Sequence, residues 1–468
     1  MLTIGDLPDH VLLAIFDFYV NVIFSYTKGE IESWQSLIHV CRRWRCLVFG
    51  SPRRLNLKLW IPGGSVEKSL DIWPALPLLI RCNYPETETS TDNAIAELEH
   101  SDRIHQISLS RLTTSHIEKL CMSMQVPFPG LEVLALSSET SCGPVLPDSF
   151  LGGSAPRLRY LNLFGIPFPG LPKLHLSATH LRTLWLENIP HSGYISPEAM
   201  VTCLSVLTNL DLFFLKFHSP QSCPDQDIRC PPPLARSLLP ALCHFSFKGV
   251  NEYLEDLVSR VDAPQLHDLS ISLFNDIHFD TPELSLFVTQ TPILGAYDEA
   301  HLTFYSHQAQ VELIYHQQPH YRMVNVSILC QVSDWQLSSL TQICNLSLHP
   351  LLTTENLYIE EFLLSPSNWK DDIENSEWLD LLLPFTAVKN LYLSVKVAEH
   401  IAPALKELTG RRTIEVLPAL QNVLLEGFQQ WEPVQEGIAQ FISARQLTNH
   451  TIAVSLWDRD LSREKRYR

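Results

Sequence analysis

Glycine is scarce. The 468 residues hold 17 glycines against 32 prolines, which excludes long flexible linkers and predicts many short, stiff connections. Positive charge is in deficit too. Lys and Arg number 34 against 51 Asp and Glu, a net charge of −17. That balance argues against a chain that coats nucleic acid or an anionic membrane, since both are polyanions. No apolar run approaches the ~18 residues that span a bilayer. The opening MLTIGDLPDH lacks the basic-then-apolar order of a secretory leader. Eleven cysteines occur without one CxxC pair, and Cys223 and Cys230 have no matching histidine pair downstream. Reduced, mostly buried thiols are expected, in the cytoplasm or the nucleus, rather than disulfides or zinc. Without an export signal the sequons at Asn325, Asn345 and Asn449 read as chance matches. The basic tail Arg459–Arg468 reads as a solvated chain end.

Catalytic and cofactor motifs are missing as well. There is no GxSxG, Walker loop, GxGxxG or HExxH, so no enzyme and no cofactor is expected. His316 and His320 lie four apart, but Pro319 spoils the helix that would aim both at a metal. The acidic stretch Asp371–Glu377 precedes a helix, where negative charge favours the dipole.

What is present falls into two parts. Apolar residues are 45% and charged residues 18%, typical of a folded protein, and the length asks for several domains or a repeat array. The first fifty residues read as helices. LPDHVLLAIFDFYV has Asp6 as a possible cap and Pro8 in the first turn, then Val11, Leu12, Ile15, Phe16 and Tyr19 on one face. A second helix, Trp34 to about Phe49, is predicted to bury Leu37, Val40, Cys41, Trp44, Leu47 and Val48, with Arg42, Arg43 and Arg45 mainly opposite. So short a helical segment needs a partner chain or the rest of the protein to bury its apolar surface.

From about residue 100 one pattern recurs, apolar at positions 1, 4, 6 and 9. Copies start at Ile104, Leu158, Leu181, Leu207, Leu242, Leu266, Ile343 and Leu420; those at Leu131 and Val388 keep the first three positions. At this apolar content four fixed positions match by chance in roughly 4% of frames, so only the spacing is informative. Starts 27, 27, 23, 26, 35 and 24 residues apart mostly fit the period of leucine-rich repeats. Helices are expected between the strands: after Ser196 as a cap, from an Asn251 cap, from Ser376, from Val397 despite Pro403, and from Pro433. Strand, turn and helix in repetition give parallel strands with outer helices, a curved α/β solenoid. Position 9 holds Ile166, Ile189, Leu215, Val250 or Phe274 where such repeats carry Asn or Cys, so the usual asparagine ladder is missing. Residues 290–340 fit the period poorly and suggest an irregular pair of strands.

The two helical stretches resemble an F-box. Leu7 and Pro8 open a helix, Ile15 and Phe16 pair within it, and Val40, Cys41, Arg42, Arg43, Trp44 and Arg45 form the later basic segment. The intervening loop is longer than usual. The array is similar to the divergent leucine-rich-repeat-like regions of fungal, mainly basidiomycete, F-box proteins. This implies a non-catalytic substrate-recognition subunit that docks on the Skp-type adaptor of a cullin–RING (SCF) ubiquitin ligase and holds a protein substrate. Implied adaptor contacts are Leu7, Pro8, Val11, Leu12, Ile15, Phe16, Val40, Cys41 and Trp44. The arginines meet an acidic adaptor or stay in water. Expected boundaries are F-box 1–52, connecting segment 53–100, repeats 101–457 and tail 458–468. Two alternatives stay open: a repeat scaffold unconnected with ubiquitination, and an enzyme whose site is assembled from distant residues.

Alternation along each strand places positions 4 and 6 in the core and 3, 5 and 7 on the opposite, concave face. The residues so expected to face a substrate are Tyr160, Asn162, Phe164, Trp185, Glu187, Asp211, Phe213, Ser246, Lys248, Ser270, Tyr392 and Glu426.

Overall fold

Each repeat begins with a turn that the leucine pattern alone does not reveal. In the computed structural model the N–H of Leu158 bonds the carbonyl of Ala155, Leu181 bonds Ala178, Leu210 bonds Leu207, Leu242 bonds Leu239, and Leu266 bonds Ala263. The same step joins Leu131 to Phe128, Thr354 to Leu351, Val388 to Phe385 and Leu420 to Leu417. The residue that heads each turn is buried. Pro129, Pro156, Pro240, Pro264 or Pro418 follows it in five of these nine turns. Proline presets φ at the second position of a β-turn, so the proline excess serves these corners. Next along the chain, one carbonyl takes two N–H groups of the following repeat: Asp211 from Cys243 and His244, Glu355 from Lys389 and Asn390, Lys389 from Gln421 and Asn422.

The structure describes residues 4, 7–22, 33–62, 75–82, 88–140, 143–168, 177–220, 236–274, 281–316, 322–330, 333–346, 348–361, 374–408, 412–427, 432–448 and 450–458. Asp6, most of the loop between the two F-box-like stretches, His320 and the basic tail lie outside them. The described part forms two compact units, residues 1–183 and 184–468.

The first unit starts with α1 (Asp9–Val22), α2 (Ser33–Ile38) and α3 (Arg42–Gly50). Leu12, Leu13 and Phe16 of α1 are buried with Trp34, Leu37, Ile38 and Val48; of the face the spacing predicts only Leu12 and Phe16 enter this core, Val11 being half-buried and Ile15 and Tyr19 exposed. The second expected helix is two. Cys41 is extended and its Sγ caps α3 by accepting from Trp44 N, so the chain breaks at residues 39–41. Val40 and Cys41, expected in the core, are exposed. The parallel strands follow: β1 (Leu59–Pro62), β2 (Leu78–Cys82), β3 (Ile104–Leu112), β4 (Val133–Ser138) and β5 (Tyr160–Phe164), each paired with the next. Helices α4 (Glu88–Ala96) and α5 (Thr114–Ser123) pack together. The described residues of the segment 53–100 include two strands and an α-helix. β2 alternates buried and half-buried residues, a period of two too short to display the nine-residue pattern.

The second unit holds β6 (Thr183–Ile189), α6 (Pro197–Leu204), β7 (Leu212–Phe217), β8 (Ser237–Leu238), β9 (His244–Gly249), α7 (Asn251–Val258), β10 (Val261–Asp262), β11 (Asp268–Phe274) and α8 (Pro282–Gln290). It continues with β12 (Glu299–Phe304), β13 (Gln308–Tyr315), β14 (Arg322–Leu329), α9 (Ser333–Leu346), β15 (Asn356–Glu361), α10 (Asn375–Leu382), β16 (Asn390–Leu393), α11 (Val395–Lys406), α12 (Arg412–Glu415), β17 (Asn422–Glu426), α13 (Glu432–Gln446) and β18 (Ala453–Trp457). The strand order is β6-β7-β9-β11-β14-β13-β12-β15-β16-β17-β18, with β8 and β10 as a separate pair. Consecutive helices pack on one another, α6 on α7, α7 on α8, α9 on α10 and α10 on α11. Ser196 caps α6 by accepting from Ala199 N, with Pro197 at its first position. Asn251 is not the cap of α7; Val250 stands there.

The sheet is mostly parallel, with one exception. The irregular region contains three strands, not two, and β13 runs antiparallel to both β12 and β14. β14 pairs with β11 and β12 with β15, both in parallel. The repeat therefore passes through this meander, with Tyr297 and Thr354 at position 1 ahead of β12 and β15. Thr354 is fully buried, and its hydroxyl hides it from an apolar search. The match at Ile343 is a coincidence, since Ile343 lies in α9.

Candidate functional site

The first candidate surface is built on α1–α3. Phe16 and Trp44 pack with ring centroids 4.7 Å apart, and Trp34 Nε1 donates to Lys58 O at 3.0 Å. Arg43 donates through Nη2 to Asp9 Oδ1 and to Leu7 O, each at 2.6 Å. Arg45 Nε donates to Ile38 O at 3.1 Å, satisfying a carbonyl at the end of α2. Two of the three arginines thus tie the helices together rather than simply facing water. Of the expected adaptor contacts, Leu12 and Phe16 are fully buried and belong to the core. Val11, Leu7 and Trp44 are half-buried, and Pro8 and Cys41 are exposed. Ile15 and Val40 are 41% and 58% exposed, and Phe18, which the periodicity passes over, is 71% exposed.

The second candidate is the open sheet face, away from the core positions. In the first unit Tyr160 and Asn162 are half-buried and joined, Asn162 Nδ2 donating to the Tyr160 hydroxyl at 3.2 Å, with Phe164 exposed beside them. In the second unit one assignment fails. Phe213 is buried at 1% exposure. Register explains it: β7 pairs Phe213 with Phe245 and Leu215 with Phe247, so this repeat starts at Leu210, and Leu207 is the turn residue ahead of it. A shift of three residues exchanges the faces of a strand. Phe214 and Lys216 face outward instead, and Asp211 sits exposed ahead of the strand. Ser246 also lies on the open side but is 5% exposed.

Two clusters occupy this face. Near β6–β11, Trp185 stacks on Phe214 at 4.1 Å, and Phe214 leans on His244 at 5.1 Å. Trp185 Nε1 donates to Glu187 Oε2 at 2.6 Å, and His244 Nδ1 lies 2.7 Å from Asp268 Oδ2. Lys216 Nζ is 3.4 Å from Glu187 Oε1 and 5.7–5.8 Å from the Phe214 and Trp185 ring centres. Near β15–β18, His301, Tyr358 and Tyr392 stack in sequence at 4.3 and 4.1 Å, and Trp457 packs against both tyrosines. Beside them runs an amide ladder: Asn422 Nδ2 donates to Asn390 Oδ1 at 2.7 Å, Asn390 Nδ2 to Asn356 Oδ1 at 2.8 Å, and Asn356 Nδ2 to Asp298 O at 3.3 Å. The ladder missing at position 9 thus exists at position 3. Ser270, Tyr392 and Glu426 are half-buried.

Chemically the face is a set of contacts. Glu299 Oε2 lies 3.1 Å from His301 Nε2 and 3.3 Å from His316 Nε2, yet among the described residues no group of three or more His, Cys, Asp or Glu is placed to hold a metal. Burial pushes the thiol of Cys203 up to about 11 and raises those of Cys82 and Cys344, which keeps them protonated and unreactive. No helix among the described residues is long and apolar enough to cross a membrane.

No protein-family model matches the chain, and a search of curated proteins finds no match. Among solved structures it is similar to the leucine-rich repeat-containing protein LegL7 from Legionella pneumophila, at 10% identity and a TM-score of 0.28, covering 82% of this chain and 97% of that one. The turn, register and outer helices make both units leucine-rich-repeat-like on their own geometry.

Proposed function

We propose that this chain is a non-catalytic protein-binding subunit, similar to fungal F-box proteins of the SCF type. Helices α1–α3 dock on a Skp-type adaptor of a cullin–RING ubiquitin ligase, and the open sheet face receives a protein substrate in the cytoplasm or nucleus. One observation carries the reading. A small helical unit closes its own core with Leu12, Phe16 and Val48, yet leaves Ile15, Phe18 and Val40 in water. Exposed apolar groups on a helical unit with a finished core suit an interaction surface.

A pull-down with purified Skp-type adaptor tests this. Ile15→Ser with Val40→Ser removes two solvent-exposed anchors, and truncating such anchors typically costs ~2 kcal/mol or more of binding, about thirtyfold. Circular dichroism and the melting curve should stay as in wild type. Undiminished binding by the variant would rule out this face. A wild-type chain that captures no adaptor would rule out the ligase role and leave a scaffold acting through its sheet face.

A further inference from the structure

The register places a like-charge pair on the open face. Lys216 of β7 is directly paired with Lys248 of β9, on parallel neighbours only ~4.8 Å apart. Like charges opposite one another across strands destabilise a sheet, and nothing local cancels both. Glu187 lies 3.4 Å from Lys216. Lys248 has no carboxylate within ion-pair reach among the described residues; its Nζ sits 5.4 Å over the Phe274 ring instead. Its register neighbour on the other side is Ser272, followed by Ser327. The row thus reads Lys, Lys, Ser, Ser across β7, β9, β11 and β14. It holds no acid in a chain whose net charge is −17.

Two residues back along β7 is Phe214, which with Trp185 makes a stacked, half-exposed aromatic shelf. Trp185 has its one donor committed to Glu187, so the shelf offers an apolar face. Along the strand the backbone of the lysine row lies ~7 Å from that of Phe214, two residues at the strand rise, and Lys216 Nζ leans back to 5.7–5.8 Å from the two ring centres. An extended peptide can match that spacing along the strand with side chains two residues apart, which share a face.

We propose that this end of the face binds an extended protein segment carrying an aspartate or glutamate two residues from an apolar residue. The carboxylate sits between Lys216 and Lys248, and the apolar side chain lies on Trp185 and Phe214. Carboxylate is preferred to phosphate because the row contains no arginine, the residue whose planar fork recognises phosphate through two bonds. Among the described residues Glu187 answers Lys216 alone, so the guest supplies the carboxylate that Lys248 lacks. This deepens the substrate-face part of the function proposed above and rests on it.

The test uses the full chain on an array of short peptides in three matched sets: an Asp or Glu two residues from Leu or Phe, the Asn or Gln counterpart, and the phosphoserine counterpart. Wild type should favour the carboxylate set over the amide set by about tenfold, the size of a charge-assisted hydrogen bond, and the preference should fade at high salt. Lys216→Gln with Lys248→Gln should abolish it, and Lys248→Arg should keep it. Equal binding to acid and amide peptides, survival of the preference in the double variant, or binding of phosphopeptides alone would each overturn the proposal. Adaptor capture by the same double variant, measured in parallel, should match wild type. Its loss in wild type as well would overturn the ligase role and not this site.

Discussion

Two ends of one sheet face solve the same problem differently. Around β15–β18 the outward residues satisfy one another: three asparagines pass hydrogen bonds along a row, and His301, Tyr358 and Tyr392 stack in the next. Around β6–β11 the outward row pairs two lysines, and among the described residues Glu187 of β6 answers Lys216 alone. The first end is accounted for by folding, since its asparagine amides and its rings contact one another within the sheet. The second end is not. Where local interactions disagree with stability, function is the usual cause. The difference assigns the ladders to architecture and the lysine row to recognition.

The largest effect tests the frame on which the comparison depends. Phe213 is fully buried and stacks on Phe245 at 5.3 Å. Phe213→Ala should cost ~3–5 kcal/mol, as large-to-small changes in packed cores do, and lower the denaturant midpoint accordingly. Asp211→Ala, an exposed position just ahead of the strand, should change stability by no more than ~0.5 kcal/mol. Equal, small effects at both positions would put Phe213 back on the open face and move the lysines off it.

Next come the ladders. Tyr392 stacks on Tyr358 and meets Trp457 edge-on at 5.5 Å. Tyr392→Ala should cost ~2 kcal/mol, from lost ring contacts and a gap between two large neighbours. Asn390→Ala interrupts the amide row at its centre and strands a donor on one side and an acceptor on the other, for ~1–2 kcal/mol. Both are read by chemical unfolding. Full stability in either variant would mean that this end is not self-satisfied and would dissolve the contrast with the lysine row.

Much of this was legible beforehand, and the failures have physical causes. Strand faces follow from alternation wherever the frame is right, as with Leu184, Leu186, Leu269, Ile271, Leu391 and Leu393, all buried. At β7 the turn leucine and the first strand leucine are three apart, so either can serve as position 1 of the pattern. The turn hydrogen bond does not separate them, since Leu207 donates to Leu204 as Leu210 does to Leu207; only the register with β9 does, by pairing Phe213 with Phe245. The meander stayed hidden because direction within a sheet leaves no mark on alternation. The outward location of Trp185, Lys248 and Tyr392 was readable; their partners were not, since stacking and pairing depend on register between strands ~30 residues apart. In the helical segment, Ile15 and Phe16 are adjacent in sequence and opposite in burial, which helical spacing shows only after the core is known. Val40 was misplaced because a cysteine cap gives no strong stop signal.

The smallest stability effect is the sharpest test of the contrast. Lys248→Gln removes one of the paired charges and one ring contact. The cation over Phe274 at 5.4 Å contributes ~0.5–1 kcal/mol at a partly exposed site. Repulsion from Lys216 opposes it by a similar amount, ~0.2–1 kcal/mol for charges opposite on neighbouring strands. The two nearly cancel, so the variant should lie within ~0.5 kcal/mol of wild type, far from the ladder variants. Salt separates the terms. The ring contact is short-ranged, while the repulsion weakens as the screening length falls from ~30 Å at 0.01 M to ~3 Å at 1 M. At low salt Lys248→Gln should therefore be at least as stable as wild type. Adding salt should favour wild type relative to the variant, so the difference in melting temperature drifts toward wild type across that range. A variant several degrees less stable at every salt concentration would show that Lys248 holds the sheet together, and the lysine row would then join the ladders as architecture.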